Sequence, residues 1–523
     1  MNDAKFVLFI LASLLSLTGC NWLARVSVDS NGMAGNQGSF RPSMSSDGRY
    51  VAFESLSGNW IAGDTTGTSD IFLKDIREGS LTRVSVDSNG NQADGGSFFA
   101  TLSADGRYVS FSSFARNLVP GINDTDSFSD VFVHDRDSGT TEVISISPSD
   151  TLGNGDSANP RISANGRFIA FWSEADNLIL GDTNGFKDVF VYDRLTGTIT
   201  LVSVDSTGSQ GDDDSIRPSI SADGRYVAFQ SQADNLVENG ASSSTHVFVH
   251  DLYTGETSRV SVDDNGNEAD RSSLIPTISA DGRFVAFHSQ ATNLVDGDSN
   301  DKEDVFVHDR ISATTTRVSV SSSLQEGNND SSHASMSADG RYVAFFSEAA
   351  DLIANDTNGE IDVFVHDRIT GQTTRQSVNF NGLETNGESF FPTLSGDGRY
   401  VAFDSLGANL IEGDLNGVSD IFIRALSQIS VNEVIPDFLP IGATTSVTVT
   451  GTNFLPGSMA LVTGAAVTVS NQVIVDENII TLDVTVDSAA LSGAQTLVVY
   501  LNGTGPGPIT GAAGFCEDCV TLQ

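Results

Sequence analysis

One short segment of the sequence returns several times with acidic and amide side chains at alternate positions. A typical copy reads Asp182, Asn184 and Asp188, with a glycine following the asparagine. Hard oxygen ligands on a loop bent by glycine are what Ca²⁺ coordination requires. Asp and Asn at such positions also form Asx turns by bonding to nearby backbone. The candidate Ca²⁺ ligands are Asp124, Asp126, Asp130, Asp182, Asn184, Asp188, Asp298, Asn300, Asp304, Asp356, Asn358, Asp362, Asp414, Asn416 and Asp420.

These loops differ from the EF-hand calcium loop. Their glycine stands at position four instead of six, and the closing bidentate glutamate is missing. One copy keeps only Asp64 and Asp70, and another has Gly240, Ser242 and His246 in place of the ligand set. Calcium binding and turn formation both remain open interpretations, and Ca²⁺ is the one cofactor that the sequence suggests.

Signatures of catalysis are missing from the sequence. It contains neither the G-x-S-x-G nucleophile elbow nor the zinc motif HExxH. Only three tryptophans occur, which argues against an aromatic platform for sugars. We expect a protein that is not an enzyme. The alternative is a lyase or glycosidase acting on a polysaccharide.

The charge balance excludes two classes of partner. The chain has 27 Lys and Arg against 68 Asp and Glu, a net charge of −41. Nucleic-acid binding needs a basic surface that displaces counterions, and a peripheral membrane surface needs one that attracts anionic lipid. We expect no nucleic-acid partner, and a protein or another cell-envelope component as the binding partner.

The N-terminus has the pattern of an export signal. Lys5 precedes the apolar run Phe6–Leu17, which at 12 residues is too short to span a bilayer. The sequence Leu17-Thr18-Gly19-Cys20 that ends this run resembles a bacterial lipobox. The resemblance implies a signal peptide at 1–19 and a lipid on Cys20; an ordinary secretory signal beside a chance cysteine is the alternative. Asn21 after the cysteine implies the outer membrane, on its periplasmic or outer side.

Two further cysteines, Cys516 and Cys519, stand close together near the C-terminus. In an exported protein, such a pair is expected to form a structural disulfide. A redox pair or a metal site are the alternatives, and the redox reading lacks the βαβ context that thioredoxin-like motifs have.

A repeat organises most of the chain. The group Asp-Gly-Arg, once Asn-Gly-Arg, returns with spacings of 58, 60, 58, 58, 58 and 58 residues. We expect its Asp-Gly pair to form a primed hairpin turn. The copies begin at Asp47, Asp105, Asn165, Asp223, Asp281, Asp339 and Asp397.

Each repeat contains four short β-rich runs bounded by turn residues, and no window has helical periodicity. Four strands per repeat predict an all-β fold, a seven-bladed β-propeller. The fourth-strand motif first occurs at Arg25, ahead of the first complete repeat. This offset predicts that the N-terminal strand pairs with the last blade and closes the ring.

The repeat motifs at Ser221–Phe229 (SADGRYVAF) and Asp188–Gly197 (DVFVYDRLTG) resemble the TolB-like, WD-repeat-like propeller repeats of bacterial envelope proteins. The resemblance covers about residues 22–426. It implies a propeller fold and says little about function. Four histidines share one register of the third strand, where other copies have Lys, Tyr or Arg, and we interpret this as a structural position: His134, His250, His308 and His366.

After Leu426 the repeat stops, and the chain becomes rich in Val, Thr and Gly. The segment Ser446–Ser458, preceded by Val434-Ile435-Pro436, resembles an IPT/TIG domain, which implies a small immunoglobulin-like sandwich. The predicted domains are a lipoprotein signal peptide (1–19), the propeller (20–426) and the IPT/TIG-like domain (427–523).

These expectations combine into one functional prediction. The acidic loops fall on one face of the ring, joined there by further acidic loops such as Asp205–Ser215. We expect a non-catalytic binding or scaffold lipoprotein of the bacterial outer membrane that uses this face for protein or divalent-cation binding. The alternatives are a polysaccharide-active enzyme on the propeller face and a Ca²⁺-stabilised surface adhesin.

Overall fold

The computed structural model describes residues 22–61, 67–122, 124–238, 244–426, 430–452, 454, 458–462, 467–476, 478–490, 492–501 and 513–522. The described residues from Leu23 to Leu426 belong to one compact unit, and those from Ser430 to Leu522 belong to another. All regular elements in this described part are β-strands. A helix long and apolar enough to cross a membrane is not found among these residues.

The first unit is built from short strands of similar length. In chain order they are β1 (Leu23–Arg25), β2 (Ser39–Met44), β3 (Tyr50–Ser55), β4 (Asp70–Asp75), β5 (Leu81–Arg83), β6 (Ser97–Leu102), β7 (Tyr108–Ser113), β8 (Asp130–Asp135), β9 (Thr140–Val143), β10 (Ser157–Ile162), β11 (Phe168–Ser173), β12 (Asp188–Asp193), β13 (Thr198–Leu201), β14 (Ser215–Ile220), β15 (Tyr226–Ser231), β16 (His246–Asp251), β17 (Glu256–Arg259), β18 (Ser273–Ile278), β19 (Phe284–Ser289), β20 (Asp304–Asp309), β21 (Thr314–Arg317), β22 (Ser331–Met336), β23 (Tyr342–Ser347), β24 (Asp362–Asp367), β25 (Gln372–Arg375), β26 (Ser389–Leu394), β27 (Tyr400–Ser405) and β28 (Asp420–Ala425).

These strands form seven four-stranded antiparallel sheets. Sheets one to six take four consecutive strands each, β2–β5, β6–β9, β10–β13, β14–β17, β18–β21 and β22–β25. Sheet seven has the order β1-β28-β27-β26, so its outermost strand comes from the start of the chain. The register pairs Leu23 with Arg424 and Arg25 with Phe422.

Backbone hydrogen bonds link each sheet to the next and return to the first. The Ala338 N–H donates to Gly396 at 2.8 Å, and the Asp397 N–H donates to Ser46 at 2.9 Å, which joins the last sheet to the first. Four-stranded antiparallel sheets joined in a circle are the architecture of a β-propeller, so the predicted all-β propeller fold is confirmed. The other links run from Ser46 to Ala104, Ala104 to Ala164, Ala164 to Ala222, Ala222 to Ala280, and Ala280 to Ala338.

The second and third strands of every sheet are buried on both faces, which explains their continuous apolar sequences. Within each sheet one phenylalanine from each of these strands stacks on the other, with ring centroids 5.9–6.1 Å apart. The pairs are Phe53–Phe72, Phe111–Phe132, Phe171–Phe190, Phe229–Phe248, Phe287–Phe306, Phe345–Phe364 and Phe403–Phe422.

The Asp-Gly-Arg hairpins differ from the predicted primed turns. In the hairpin from Ser221 to Tyr226 of the fourth sheet, Gly224 alone has a positive φ, +81°, and its N–H bonds to the Ser221 carbonyl at 3.0 Å. This is a type I turn followed by a left-handed glycine. Asp223 accepts bonds from the Ser221 hydroxyl and the Arg225 N–H, so the position requires a turn residue with a short acceptor side chain.

The second unit contains two four-stranded sheets. Their orders are β29-β31-β34-β33 and β30-β36-β35-β32, and β30 pairs with β36 in parallel. Alternate residues of β34 are buried, as expected of strands that cover a core on one face only. The strands are β29 (Ser430–Ile435), β30 (Phe438–Leu439), β31 (Thr444–Thr452), β32 (Ser458–Val462), β33 (Val467–Asp476), β34 (Ile479–Val486), β35 (Gly493–Leu501) and β36 (Ala513–Leu522).

Candidate functional site

The last carboxylate of each predicted calcium loop begins a third strand and is buried. Asp188 accepts a hydrogen bond from the Ser203 hydroxyl at 2.5 Å, and Asp130 accepts one from Ser145 at 2.6 Å. Each serine lies just past the fourth strand of the same sheet, so the bond ties two strands together. The same contact is made by Asp304, Asp362 and Asp420 with Ser319, Ser377 and Ser27.

The asparagines of these loops act as hydrogen-bond donors. The Asn300 amide donates to Asp304 at 3.1 Å and to the Gly327 carbonyl at 2.8 Å. It therefore connects its own loop with the loop that leads to the next sheet. Asn184, Asn358 and Asn416 make the equivalent pairs of contacts.

In three sheets a guanidinium lies between the carboxylates of the loop. Arg375 is 3.0 Å from Asp356, 2.9 Å from Asp362 and 3.0 Å from Glu384. Arg317 contacts Asp298 and Asp304, and Arg25 contacts Asp414 and Asp420. The negative charge that would attract a cation there is thus already paired within the protein.

The second sheet lacks this arginine, because Val143 takes the register position opposite Phe132 that Arg375 takes opposite Phe364. Asp124 has one buried carboxylate oxygen without a hydrogen-bond partner. Burial, followed by the nearby charges of Asp124 and Asp126 among others, raises the pKa of Asp130 to about 7.

The remaining loop residues make local contacts. Asp126 accepts the Phe128 N–H at 3.0 Å in an Asx turn, and Asp182 accepts a bond from Gln210 at 3.3 Å. Within the described ranges, no group of three or more His, Cys, Asp or Glu side chains is placed to hold a metal ion. Calcium binding stays a prediction.

The cysteine predictions fall largely outside what the structure describes. Cys20, with Asp64 and Gly240 of the loops, is among the residues that are not described. The backbone of Cys516 and Cys519 lies in β36, where the pairing with β35 is irregular, but their side chains are not described. The lipid and the disulfide stay predictions.

The histidine register of the third strand connects neighbouring sheets. His134 Nδ1 is 2.9 Å from the Thr141 hydroxyl, which donates to the Val86 carbonyl of the preceding sheet at 2.5 Å. In the first sheet Lys74 takes this position and donates to the Val28 carbonyl at 3.0 Å. These contacts support the structural interpretation of the register.

A cavity lies on the axis of the ring. Its volume is about 370 Å³, and it is lined by one strand from each of the seven sheets of the first unit, namely β2, β6, β10, β14, β18, β22 and β26. A β-bulge in each of these strands holds one residue at a φ between +46° and +57°. These seven bulge residues are Arg41, Phe99, Asn159, Arg217, Ile275, His333 and Phe391.

Arg41 lies across one side of this channel. Its guanidinium is 5.1 Å from the ring centroids of both Phe99 and Phe391, and 3.3 Å from the Glu54 carboxylate. Behind it the Arg41 N–H faces Asp404 at 3.4 Å. Burial raises the pKa of Glu54 and raises that of Asp404 to about 8, so negative charge on both groups is opposed.

Arg161 lies on β10 and Arg217 lies on β14, the strands that line the channel from the third and fourth sheets. Arg161 donates to the Pro160 carbonyl at 3.2 Å, and Arg217 donates to the Asn159 side chain at 3.1 Å. Neither has a carboxylate within 4.0 Å among the described residues. Burial and then Arg217 lower the pKa of Arg161 to about 10, and burial and then Arg41 lower that of Arg217.

His333 completes the channel from the sixth sheet. Its ring stacks on His288 with centroids 5.7 Å apart, and its buried Nδ1 has no hydrogen-bond partner in the described structure. Burial, followed by Arg217 and Arg41, lowers its pKa to about 4, so it is neutral at physiological pH. The channel therefore presents guanidinium groups, a neutral imidazole and aromatic rings.

The channel residues do not follow from the features that the repeat copies share. At the bulge position the copies differ: two arginines, two phenylalanines, Asn, Ile and His. Two residues further on, six copies have Ser or Thr and one has Arg161. Divergence within an otherwise regular repeat was the signal that could have identified this site.

Solved structures with a similar chain course include a TolB-type protein from Agrobacterium tumefaciens (14% identity, TM-score 0.34, 54% of this chain and 80% of that chain). Another is the acylaminoacyl peptidase of Pyrococcus horikoshii (8% identity, TM-score 0.45, 82% of this chain and 60% of that chain). A third is the periplasmic gluconolactonase of Pseudomonas aeruginosa (17% identity, TM-score 0.33, 64% of this chain and 84% of that chain). No protein-family profile matches the chain, and no curated protein matches it.

Proposed function

We propose that this chain is a non-catalytic binding protein of the bacterial cell envelope whose binding site is the axial channel. In this proposal its seven sheets are the blades of a propeller closed by β1. The second unit is an IPT/TIG-like, immunoglobulin-like domain, and a lipid on Cys20 holds the protein at the outer membrane.

One observation carries the choice of site. The residues that the repeats share are engaged in contacts that hold the sheets, such as the bidentate pair of Arg225 with Asp251 at 2.8 and 2.7 Å. The seven bulge residues, which differ from copy to copy, line a single cavity. Selection for shape and chemistry at one place would produce this distribution, since a purely structural ring could repeat one residue type there.

In this proposal the channel, and not the acidic face predicted from the sequence, is the binding surface. The buried carboxylates of that face are bonded to serines, asparagines and arginines of the protein itself. A group already bonded in this way would have to lose its partner before it could bind another. Arg161 and Arg217 of the channel, which have no carboxylate within 4.0 Å among the described residues, need no such exchange.

The test is thermal unfolding of the chain from Asn21 with a panel of anionic, neutral and cationic metabolites and short saccharides. A ligand that binds only the folded state raises the unfolding temperature. We expect one class to do so, and we expect the effect to vanish in Thr277→Phe, which fills the cavity that Thr277 lines. The effect should persist in Asp234→Asn, which changes an exposed carboxylate of the acidic face.

The stabilising compound is then incubated with the protein and recovered. Intact recovery agrees with a binding protein, whereas conversion to a product that depends on the channel would make the chain an enzyme. Stabilisation that survives Thr277→Phe and is lost in Asp234→Asn would return the binding site to the acidic loops.

A further inference from the structure

We infer that the axial channel binds a small organic oxyanion, a carboxylate or a phosphate ester, through Arg161 and Arg217. This inference rests on the proposed function and names the ligand class of the same site. Nothing in the sequence pattern pointed to it, because a chain with a net charge of −41 gives no general reason to expect anion binding.

The two guanidiniums are available to a ligand. A guanidinium has five N–H donors arranged to match carboxylate and phosphate oxygens in pairs. Arg161 and Arg217 each give one bond to a protein oxygen in the described structure. Most of their donors are therefore left for water or for a ligand in the channel.

That neither arginine has a carboxylate nearby among the described residues is informative in this protein. Acidic residues outnumber basic ones by more than two to one, so a partner for an arginine is easily supplied. The fourth-strand arginines illustrate this, since Arg375 alone contacts three carboxylates. Arg161 and Arg217 repel one another and, in the part of the chain that the structure describes, have no carboxylate between them. This is the arrangement expected of a binding site for an anion.

Arg41 adds a third positive charge whose position is fixed. It is held between Phe99 and Phe391 and lies 3.3 Å from the Glu54 carboxylate. Burial raises the pKa of Glu54 and raises that of the neighbouring Asp404 to about 8, which opposes negative charge on both groups. The imidazole of His333, with its unpartnered Nδ1, lies beside the same cavity and offers a neutral polar contact. The oxyanion is thus met by positive and polar groups from several sheets.

The size of the cavity limits the ligand. A volume of about 370 Å³ falls at the lower end of the range for small-molecule pockets. It accommodates a metabolite or a short sugar acid, and it excludes a folded partner. Phe99 and Phe391 supply apolar surface, so an organic anion fits better than a bare inorganic ion.

The test is calorimetric titration of the chain from Asn21 with citrate, glucose 6-phosphate, inorganic phosphate and glucose at constant ionic strength. We expect saturable binding of citrate or of the phosphate ester and none of glucose. Citrate tests for a carboxylate ligand, and glucose 6-phosphate tests for a phosphate ester. In Arg161→Gln/Arg217→Gln the affinity should fall at least tenfold, because both charged donors are lost.

The matched control is Arg271→Gln, which removes an exposed guanidinium paired with Asp301 and should change the affinity less than twofold. A second channel variant, Ile275→Glu, adds a carboxylate at the bulge position of the fifth sheet and leaves the arginines in place. Glutamate tolerates a φ of +48° better than isoleucine, so folding should be retained. It should weaken binding at least fivefold by repulsion.

Failure of all three anions to bind, or equal binding by the wild type and the double arginine variant, overturns the inference. Binding of glucose that Thr277→Phe abolishes would overturn the oxyanion and leave the channel as the site. Breakdown of a bound anion would overturn the proposed non-catalytic function and leave the oxyanion site intact.

Discussion

Asp404 is the carboxyl group that the fold buries most completely beside the channel, with 2% of its surface exposed. Burial raises its pKa to about 8, against the opposing effect of Arg41 and with a small contribution from Glu54. An unfolded aspartate ionises near pH 4. Between these values the folded state holds a proton that the unfolded state releases, so this residue lowers stability as the pH rises.

Replacing this carboxyl group should remove that dependence. Asp404→Asn keeps the size and the acceptor of the side chain, and it should gain on the order of 2 kcal/mol more over the wild type at pH 8 than at pH 5. Urea unfolding at several pH values measures the difference. Asp193→Asn is the opposite case, since Arg167 lowers the pKa of Asp193 to about 2. The loss of stability in Asp193→Asn should be the same at pH 5 and pH 8. An effect of Asp404→Asn that is also independent of pH would contradict the raised pKa of Asp404.

The second sheet has an apolar pair where other sheets have an arginine–glutamate pair next to the fourth strand. The fourth-strand arginine and a glutamate of the next loop face each other as Arg317–Glu326 and Arg375–Glu384. In the second sheet both positions are apolar, Val143 and Leu152, and both line one small cavity. Where the arginine is present it neutralises buried carboxylates, so its removal alone should be costly.

Arg375→Leu should destabilise the protein by about 3 kcal/mol, because it leaves Asp356, Asp362 and Glu384 without their cation. Arg77→Leu is the matched control, since the Arg77 side chain is 58% exposed and contacts only Glu78. Its effect should lie within about 0.5 kcal/mol. Urea unfolding of both variants checks this, and equal losses would show that the buried pairing contributes nothing specific.

The repeat predicted the elements well and the site poorly, for a physical reason. The strands, the places of the turns and the ring closure follow from patterns that seven copies average, so a single deviating residue does little harm. The type of the Asp-Gly-Arg turn was predicted wrongly, because the dipeptide also fits a type I turn that ends in a left-handed glycine. The channel depends on which side chains a bulge turns toward the axis, and no local pattern predicts that bulge. Arg41 and Phe99 look like ordinary strand residues until the left-handed backbone of the bulge is known.

The ring as a whole depends on one short strand. β1 pairs with β28 over three residues, and Arg25 and Ser27 add contacts to Asp420. β5, the equivalent strand of the first sheet, is connected along the chain to strands on both sides. Among the described strands, β1 is followed by β2 and no described strand precedes it, so its detachment would expose the edge of β28.

Proline at the centre of β1 should therefore harm the protein more than proline at the same place in β5. The Val26 N–H bonds to Ile421 and the Val84 N–H bonds to Ile71, so the alternation of an antiparallel ladder gives Ala24 and Thr82 equivalent bonds. Ala24→Pro should lower the unfolding temperature by at least about 2 °C more than Thr82→Pro. Calorimetry measures both, and an equal or smaller effect of Ala24→Pro would mean that closure adds little stability.

The pairing of Leu23 with Arg424 also fixes how the ring responds to mechanical force. The chain enters β1 and leaves β28 at the same end of this strand pair. A pull between Leu23 and Ala425 would break the hydrogen bonds between β1 and β28 one after another, beginning at the pulled end. It would not load all of these bonds at once in shear. The seam is therefore the point of lowest mechanical resistance, and traction on the two ends would open the ring there while the other sheets stay folded.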